Sequence, residues 1–190
     1  MILPLAGLHY VMNALPAVAL AHYYRISLDQ TIDGLRHLSQ AAMRGQVLRF
    51  QEGFTVIDDS YNSNPRALLQ MIDTFSGFQS FQRRILVAGE MLELGKDSAS
   101  LHYECGERAA QRGIDVLVAV RGDAREIARG ATARGMTESQ VHFFTEVYPA
   151  NDFVTRNVRQ GDLLLIKGSR GVHLEKIVQA LRAYHRELAD

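Results

Sequence analysis

Apolar positions follow two different rhythms along this chain. From His9 to about Tyr24 they occur at nearly every step, so the helix predicted there has no polar face. A helix of that kind is buried on all sides, and the few residues before it cannot supply the partners, which points to sequence upstream. Ser27 and Gln30 then form a capping-box pattern. Leu28, Ile32, Leu35 and Leu38 mark one face of a second helix at spacings of four, three and three. The helical signal fades between Ala41 and Gly45, where a domain boundary is expected.

Beyond it the rhythm becomes strand, loop, helix. Residues 47–50 and 54–58 read as a strand pair around Gly53. Pro65 opens a helix with Asn64 as its cap. Short apolar runs at 84–89, 116–120, 141–144 and 163–166 predict further strands. Helices are expected over about 98–112, stopping at Gly113, over about 123–134, and from about Gly171 to the C-terminus. Continuous apolar strands alternating with helices predict an α/β fold, a mainly parallel sheet covered on both faces. Ligands of such sheets bind at the carboxyl ends of strands, so the loops after Ile57, Ala88 and Ile166 are the places to search.

Composition narrows the partners. The chain has 190 residues, with 21 basic against 21 acidic side chains. That balance offers no electrostatic footprint for nucleic acid or an anionic membrane. The stretch Val11 to Ala21 is shorter than the ~20 apolar residues of a membrane span. One cysteine, Cys105, excludes an internal disulfide, and together with an N-terminus lacking basic residues it predicts a cytoplasmic protein.

Four segments carry candidate chemistry. The loop Asp58-Asp59-Ser60-Tyr61-Asn62-Ser63-Asn64-Pro65 joins a strand to a helix and is dense in hydrogen-bonding groups. An Asp at a strand end accepts from ribose hydroxyls or helps hold a cation, while the same residue types also make a plain turn. Lys167-Gly168-Ser169-Arg170-Gly171 likewise links strand to helix, as an anion site or as a glycine turn with solvated charges. His9 and Asn13, four apart, share a helix face suited to a heterocycle edge or to a structural bond. Glu90 and Glu93 follow a strand, placed to orient an amine or an Arg, or simply to face water. Other signals fall away. Gly89 to Lys96 lacks the spacing of a phosphate-gripping loop, and Asp97 stands where Ser or Thr would hold Mg²⁺. His102 and Cys105 have no second pair to make a zinc site, and no metal centre is expected.

Taken together, the segments resemble the Mur ligase family. Gly7 to Leu15 is similar to its G-x-H-N-V-x-N-A-L helix, and Asp58 to Pro65 to the D-D-S-Y-N-A-N-P segment of the D-alanyl-D-alanine-adding branch. Val87 to Gly95 resembles V-x-G-D-M-x-E-L-G, and Lys167 to Glu175 resembles K-G-S-R-G-x-x-L-E. Leu101-His102 with Gly106, and Gly122 to Ala131, follow in the expected order. The resemblance implies residues 1–42 as the last helices of a central ATP-binding domain, and 43–190 as a complete Rossmann-like C-terminal domain. It implies an amide ligase of cell-wall precursor synthesis. ATP, with Mg²⁺, phosphorylates the carboxylate of UDP-MurNAc-tripeptide, and the amine of D-Ala-D-Ala attacks the acyl phosphate.

By position, the resemblance places His9 and Asn13 at adenine, Arg44 at an ATP phosphate, and Asp59 at the ribose with Asn62 and Asn64 in the same loop. It places Glu90, Lys167, Ser169 and Arg170 on the side of the incoming amino component. Three residues depart from the pattern: Tyr10 stands for Asn, Met43 for the Gly common before Arg44, and Glu90 for Asp. No G-K-T/S loop occurs, so the chain is expected not to run ATP-driven chemistry without an N-terminal half. The competing reading is a non-catalytic module that binds a nucleotide, D-Ala-D-Ala or a partner protein. A self-contained or dimeric packing of the first helix would favour that module, and an exposed apolar face would favour part of a ligase.

Overall fold

The computed structural model describes residues 8–37, 42–78 and 80–189, without the side chains of Leu8, His9, Tyr10 and Asn13. The chain divides into two compact units, Met1–Ala41 and Ala42–Asp190.

The first unit holds α1 (Leu8–Tyr23) and α2 (Leu28–Arg36). The capping box forms as expected: the Gln30 amide donates to Ser27 Oγ, and the Ser27 amide to Gln30 Oε1, both at 3.3 Å. The expectation of a buried first helix is not met. Among its described side chains Ala14 is buried, whereas Val11, Met12, Leu15 and Leu20 are exposed. Leu35 is buried on α2, Leu28 is exposed, and Leu38 lies outside the described residues.

The second unit is built on β1 (Gln46–Arg49), β2 (Thr55–Asp59), β3 (Arg83–Gly89), β4 (Val116–Val120), β5 (Val141–Phe144) and β6 (Asp162–Lys167), in the spatial order β1-β2-β6-β3-β4-β5. The β1–β2 hairpin is antiparallel and every other pairing is parallel. Period-two side-chain alternation splits each inner strand between two cores. Leu86, Leu163 and Leu165 face α3 (Pro65–Ser76), α4 (Ser98–Gln111) and α5 (Ala124–Ala133), through Leu68, Ile72, Cys105, Ala109 and Ile127. Ile85, Val87, Leu164 and Ile166 face α6 (Val147–Asn157) and α7 (Glu175–Tyr184), through Val154, Ile177 and Leu181. Helices on both faces leave the last strand, β6, buried along its whole length at the centre.

Three details differ from the sequence reading. Helix α6 was not expected; Val147, Ala150 and Val154 carry its buried stripe, and Pro149 hides it. Proline in a first helical turn removes an N–H that has no intrahelical partner anyway. The final helix begins at Glu175 rather than Gly171, because residues 170–172 form a 3-10 turn and His173 is left-handed at φ 63°. It also stops at Tyr184. The tail returns along the hairpin, with the Gln51 amide donating to the Arg186 carbonyl (2.8 Å) and the Leu188 amide to the Arg49 carbonyl (2.7 Å).

Helices α4 and α5 cross at two glycines, Gly106 and Gly130, each with the other helix's backbone where a Cβ would stand. Beside this crossing Cys105 is fully buried, and burial pushes its thiol up to about 12. At pH 8 only about one thiol in ten thousand is then a thiolate. Ellman's reagent is therefore expected to leave the folded protein unmodified and to label one thiol per chain in urea, where the ordinary pKa of ~8.5 returns. Rapid labelling without denaturant would show that the α4–α5 layer opens locally.

Candidate functional site at the carboxyl ends of the parallel strands

Parallel strands β2, β6 and β3 end side by side, and the loops that leave them are fastened to one another. The β6 loop is the centre of the fastening. Lys167 Nζ lies 2.6 Å from Asp59 Oδ2 and 3.0 Å from the Asn62 carbonyl. Ser169 donates its amide to the Glu90 carbonyl (3.2 Å), accepts the Leu92 amide at Oγ (3.0 Å), and turns the hydroxyl toward the Ser63 carbonyl at 3.4 Å. Both Lys167 and Ser169 are buried. One long and one short side chain thus tie the β6 loop to β2 on one side and to β3 on the other.

The β3 loop is fixed from behind. His102 is fully buried; its Nε2 accepts the Met91 amide at 2.8 Å and its Nδ1 sits 2.7 Å from the Ser98 carbonyl. That pair of partners requires the neutral ring with its proton on Nδ1. Glu90 Oε1 accepts the Asp123 amide at 3.0 Å, placing a carboxylate on the positive end of α5. Gly122 permits this approach: a Cβ there would stand 1.9 Å from Glu90 Oε1, and its φ is +45°. Arg121, itself left-handed at φ 71°, donates Nη1 to the Gly171 carbonyl at 2.7 Å. The β4 loop therefore supports the β3 and β6 loops.

In the β2 loop Asp58 is buried, and burial pushes its carboxyl up against the opposing bonds from Ser60. Ser60 donates both its hydroxyl (2.6 Å) and its amide (3.1 Å) to Asp58 Oδ1. Asn62 Oδ1 accepts the Ser63 amide and Asn64 Oδ1 caps α3 through the Ala67 amide, at 2.9 and 2.8 Å. Tyr61 stands outward. Arg44 Cζ lies 4.2 Å from its ring centre and Arg170 Cζ 5.8 Å, so two guanidiniums share one aromatic ring. Met43, left-handed at φ 62°, accepts the Tyr61 amide at its carbonyl (3.1 Å) and sets its sulfur 3.3 Å from Arg170 Nη1. Glu175 lies 3.7 Å from Arg170.

Arg44, Asp59, Asn62, Asn64, Glu90, Lys167, Ser169 and Arg170 thus belong to one set of contiguous loops. The side chains of His9 and Asn13 lie outside the described residues. Within the set, the contacts differ in kind. Glu90, Ser169 and Asn64 spend oxygens on backbone amides, and Lys167 is enclosed. Arg44, Arg170 and Tyr61 are exposed, as are Asn62 and Asn64. Tyr61, Arg121, Gly122 and His102 were not proposed from sequence as site-forming. The tyrosine within a polar turn was the one local signal. Among the described residues no three His, Cys, Asp or Glu side chains are grouped to hold a metal ion, and no helix is long and apolar enough to cross a membrane.

Comparison with known proteins identifies the family and the fold. The family model "Mur ligase, glutamate ligase domain" matches residues 43–170. UDP-N-acetylmuramoyl-tripeptide--D-alanyl-D-alanine ligase of Bacillus subtilis is 33% identical over 94% of this chain, and its Escherichia coli counterpart 32% over 95%. The matches cover 39% and 38% of those proteins, so the chain spans well under half the length of the curated relatives it matches. A crystal structure of MurF from Acinetobacter baumannii superimposes with a TM-score of 0.81 at 30% identity, over 95% of this chain and 39% of that one. MurF ligase from Thermotoga maritima in complex with ADP shares the fold at a TM-score of 0.69 and 23% identity, over 88% of this chain and 36% of that one. The six-stranded sheet, its fastened loops and the extent of the family match give one conclusion: the chain belongs to the Mur ligase family.

Proposed function

We propose that this chain is part of a UDP-N-acetylmuramoyl-tripeptide--D-alanyl-D-alanine ligase. In this reading residues 43–190 are the C-terminal domain that presents D-Ala-D-Ala, and residues 1–42 are the last helices of the central ATP-binding domain. The observation that carries it is the pair of exposed guanidiniums, Arg44 and Arg170, gathered on Tyr61 beside the fastened loops. An arginine matches a carboxylate or phosphate in both geometry and charge. Arg170 takes the carboxylate of the incoming dipeptide, and Arg44 neutralises phosphate charge. Asp59 accepts from the ribose, with Asn62 beside it; Asn64 shapes the loop as a helix cap. Ser169 and Glu90 serve by holding the loops, and His9 and Asn13 remain proposed adenine contacts. The apolar face of α1, exposed among the described residues, supports the ligase reading over a free-standing module.

ATP, when bound, supplies the phosphoryl group that activates the tripeptide carboxylate. Mg²⁺ is usually held by one or two carboxylates together with substrate phosphates, and no metal step is assigned to these residues. Their work is positioning: they bring the dipeptide amine to the activated carbonyl and hold phosphate charge. The test is calorimetric titration of the 190-residue chain with D-Ala-D-Ala. Binding is expected, and R170A is expected to weaken it about tenfold or more, the loss of one charge-assisted bond. Wild-type chain that ignores the dipeptide would refute the docking role, and ATP·Mg²⁺ turnover by these residues alone would refute the domain assignment.

A further inference from the structure

We infer that Lys167 is a positioning residue. It holds one oxygen of Asp59 so that the other is presented to a vicinal diol, and so sets a preference for ribonucleotides over 2′-deoxyribonucleotides. The inference rests on the proposed role of Asp59 at the ribose.

Lys167 closes β6 and Asp59 closes β2, and the two are paired in the parallel register. Paired residues of neighbouring strands point to the same side of a sheet, so amine and carboxylate meet without any loop rearrangement. The Lys167 side chain is 5% exposed and that of Asp59 is 22% exposed. An ammonium so enclosed cannot swing out to a ligand without leaving the Asp59 carboxylate without its counter-charge, which is unfavourable in a largely buried setting. Its protons are directed at Asp59 Oδ2 and at the Asn62 carbonyl, and both acceptors belong to the β2 loop. Lys167 therefore fixes the carboxylate and the backbone that follows it.

The carboxyl torsion of an aspartate is broad and roughly two-fold when nothing holds it. With Oδ2 clamped, Oδ1 has a single direction and no hydrogen-bond partner among the described residues. A fixed anionic oxygen suits two adjacent hydroxyl donors. Removing one of them, as in a 2′-deoxyribose, forfeits a hydrogen bond to a charged acceptor. Releasing the clamp lets the carboxylate turn and erodes the same preference. A lysine that merely stabilised the fold would instead weaken both nucleotides alike.

The experiment titrates ADP and 2′-deoxy-ADP into the wild-type chain, D59N, K167M and K167R, with circular dichroism and urea unfolding as checks on folding. The wild type is expected to favour ADP about tenfold. The preference should vanish in D59N, shrink severalfold in K167M and largely survive in K167R, which keeps a cation at the site. Should K167M not fold, K167Q carries the same expectation. Loss of preference in D59N with full preference in K167M, or equal weakening of both nucleotides in K167M, overturns the role of Lys167. Full preference in D59N overturns the ribose reading of Asp59 itself. A wild-type chain with no preference, or with no affinity for either nucleotide, overturns the inference outright.

Discussion

Replacing Gly106 with alanine is expected to remove about 3 kcal/mol or more of folding stability, although alanine is intrinsically the better helix former by about 1 kcal/mol. The methyl group would stand 1.9 Å from the Ile127 carbonyl oxygen and 2.9 Å from the Ala131 nitrogen. These are backbone atoms of α5, so no side chain can turn aside and the two helices have to move apart. Separation would also loosen the packing of Cys105, Ala109 and Ile127 beneath them. Gly130 repeats the situation from the other side, 2.1 Å from the Tyr103 carbonyl. Typical domains are stable by only ~5–15 kcal/mol, so G106A is expected to show a much lower urea midpoint with an unchanged slope. A loss below about 1 kcal/mol would mean that α4 and α5 can spread freely.

The second large effect lies at the opposite end of the sheet. Asp162 has no exposed surface and accepts Arg83 Nε and Nη2 at 2.9 and 2.7 Å, and the Arg159 amide at 2.9 Å. Arg83 also donates to the Asn157 carbonyl at 2.7 Å, so the pair ties β3, β6 and the end of α6 together. D162A would leave a guanidinium that is 19% exposed without its counter-charge. Removing one partner of a buried pair costs about 3 kcal/mol. D162N, which keeps the shape and one acceptor, should cost less. Because Arg83 and Asp162 begin their strands whereas the candidate site lies where strands end, folded D162N should bind D-Ala-D-Ala as the wild type does. A D162N protein of normal stability but altered dipeptide affinity would contradict this separation of stability from binding.

How far the sequence foretold this molecule depends on the scale of the question. The sheet was legible because its strands are continuous apolar runs, a pattern imposed by burial on both faces. The three loops were legible because ligands and turn-forming residues concentrate at strand ends. Individual tasks were harder to read. Lys167 and Arg170 are three positions apart in one motif, and only the register shows that one is enclosed against Asp59 while the other faces outward. Glu90 reads as a free carboxylate until Gly122 brings the start of α5 against it. Helix α6 was missed through Pro149, and the end of α7 through His185, Arg186 and Glu187, which suit a helix as well as the extended tail they form.

That tail has a consequence for self-association. Strand β1 is one of the sheet's two outer strands, β5 being the other, and an outer strand with unpaired amides and carbonyls is a template on which another molecule can add a strand. Here the Arg186 carbonyl and the Leu188 amide occupy groups flanking the turn beside β1, Phe50 bridges to Glu187, and Arg182 holds Glu187 at 2.6 Å. Residues 186–188 thereby cover one end of this edge against edge-to-edge pairing, and a substitution that detaches them is expected to raise the tendency to self-associate.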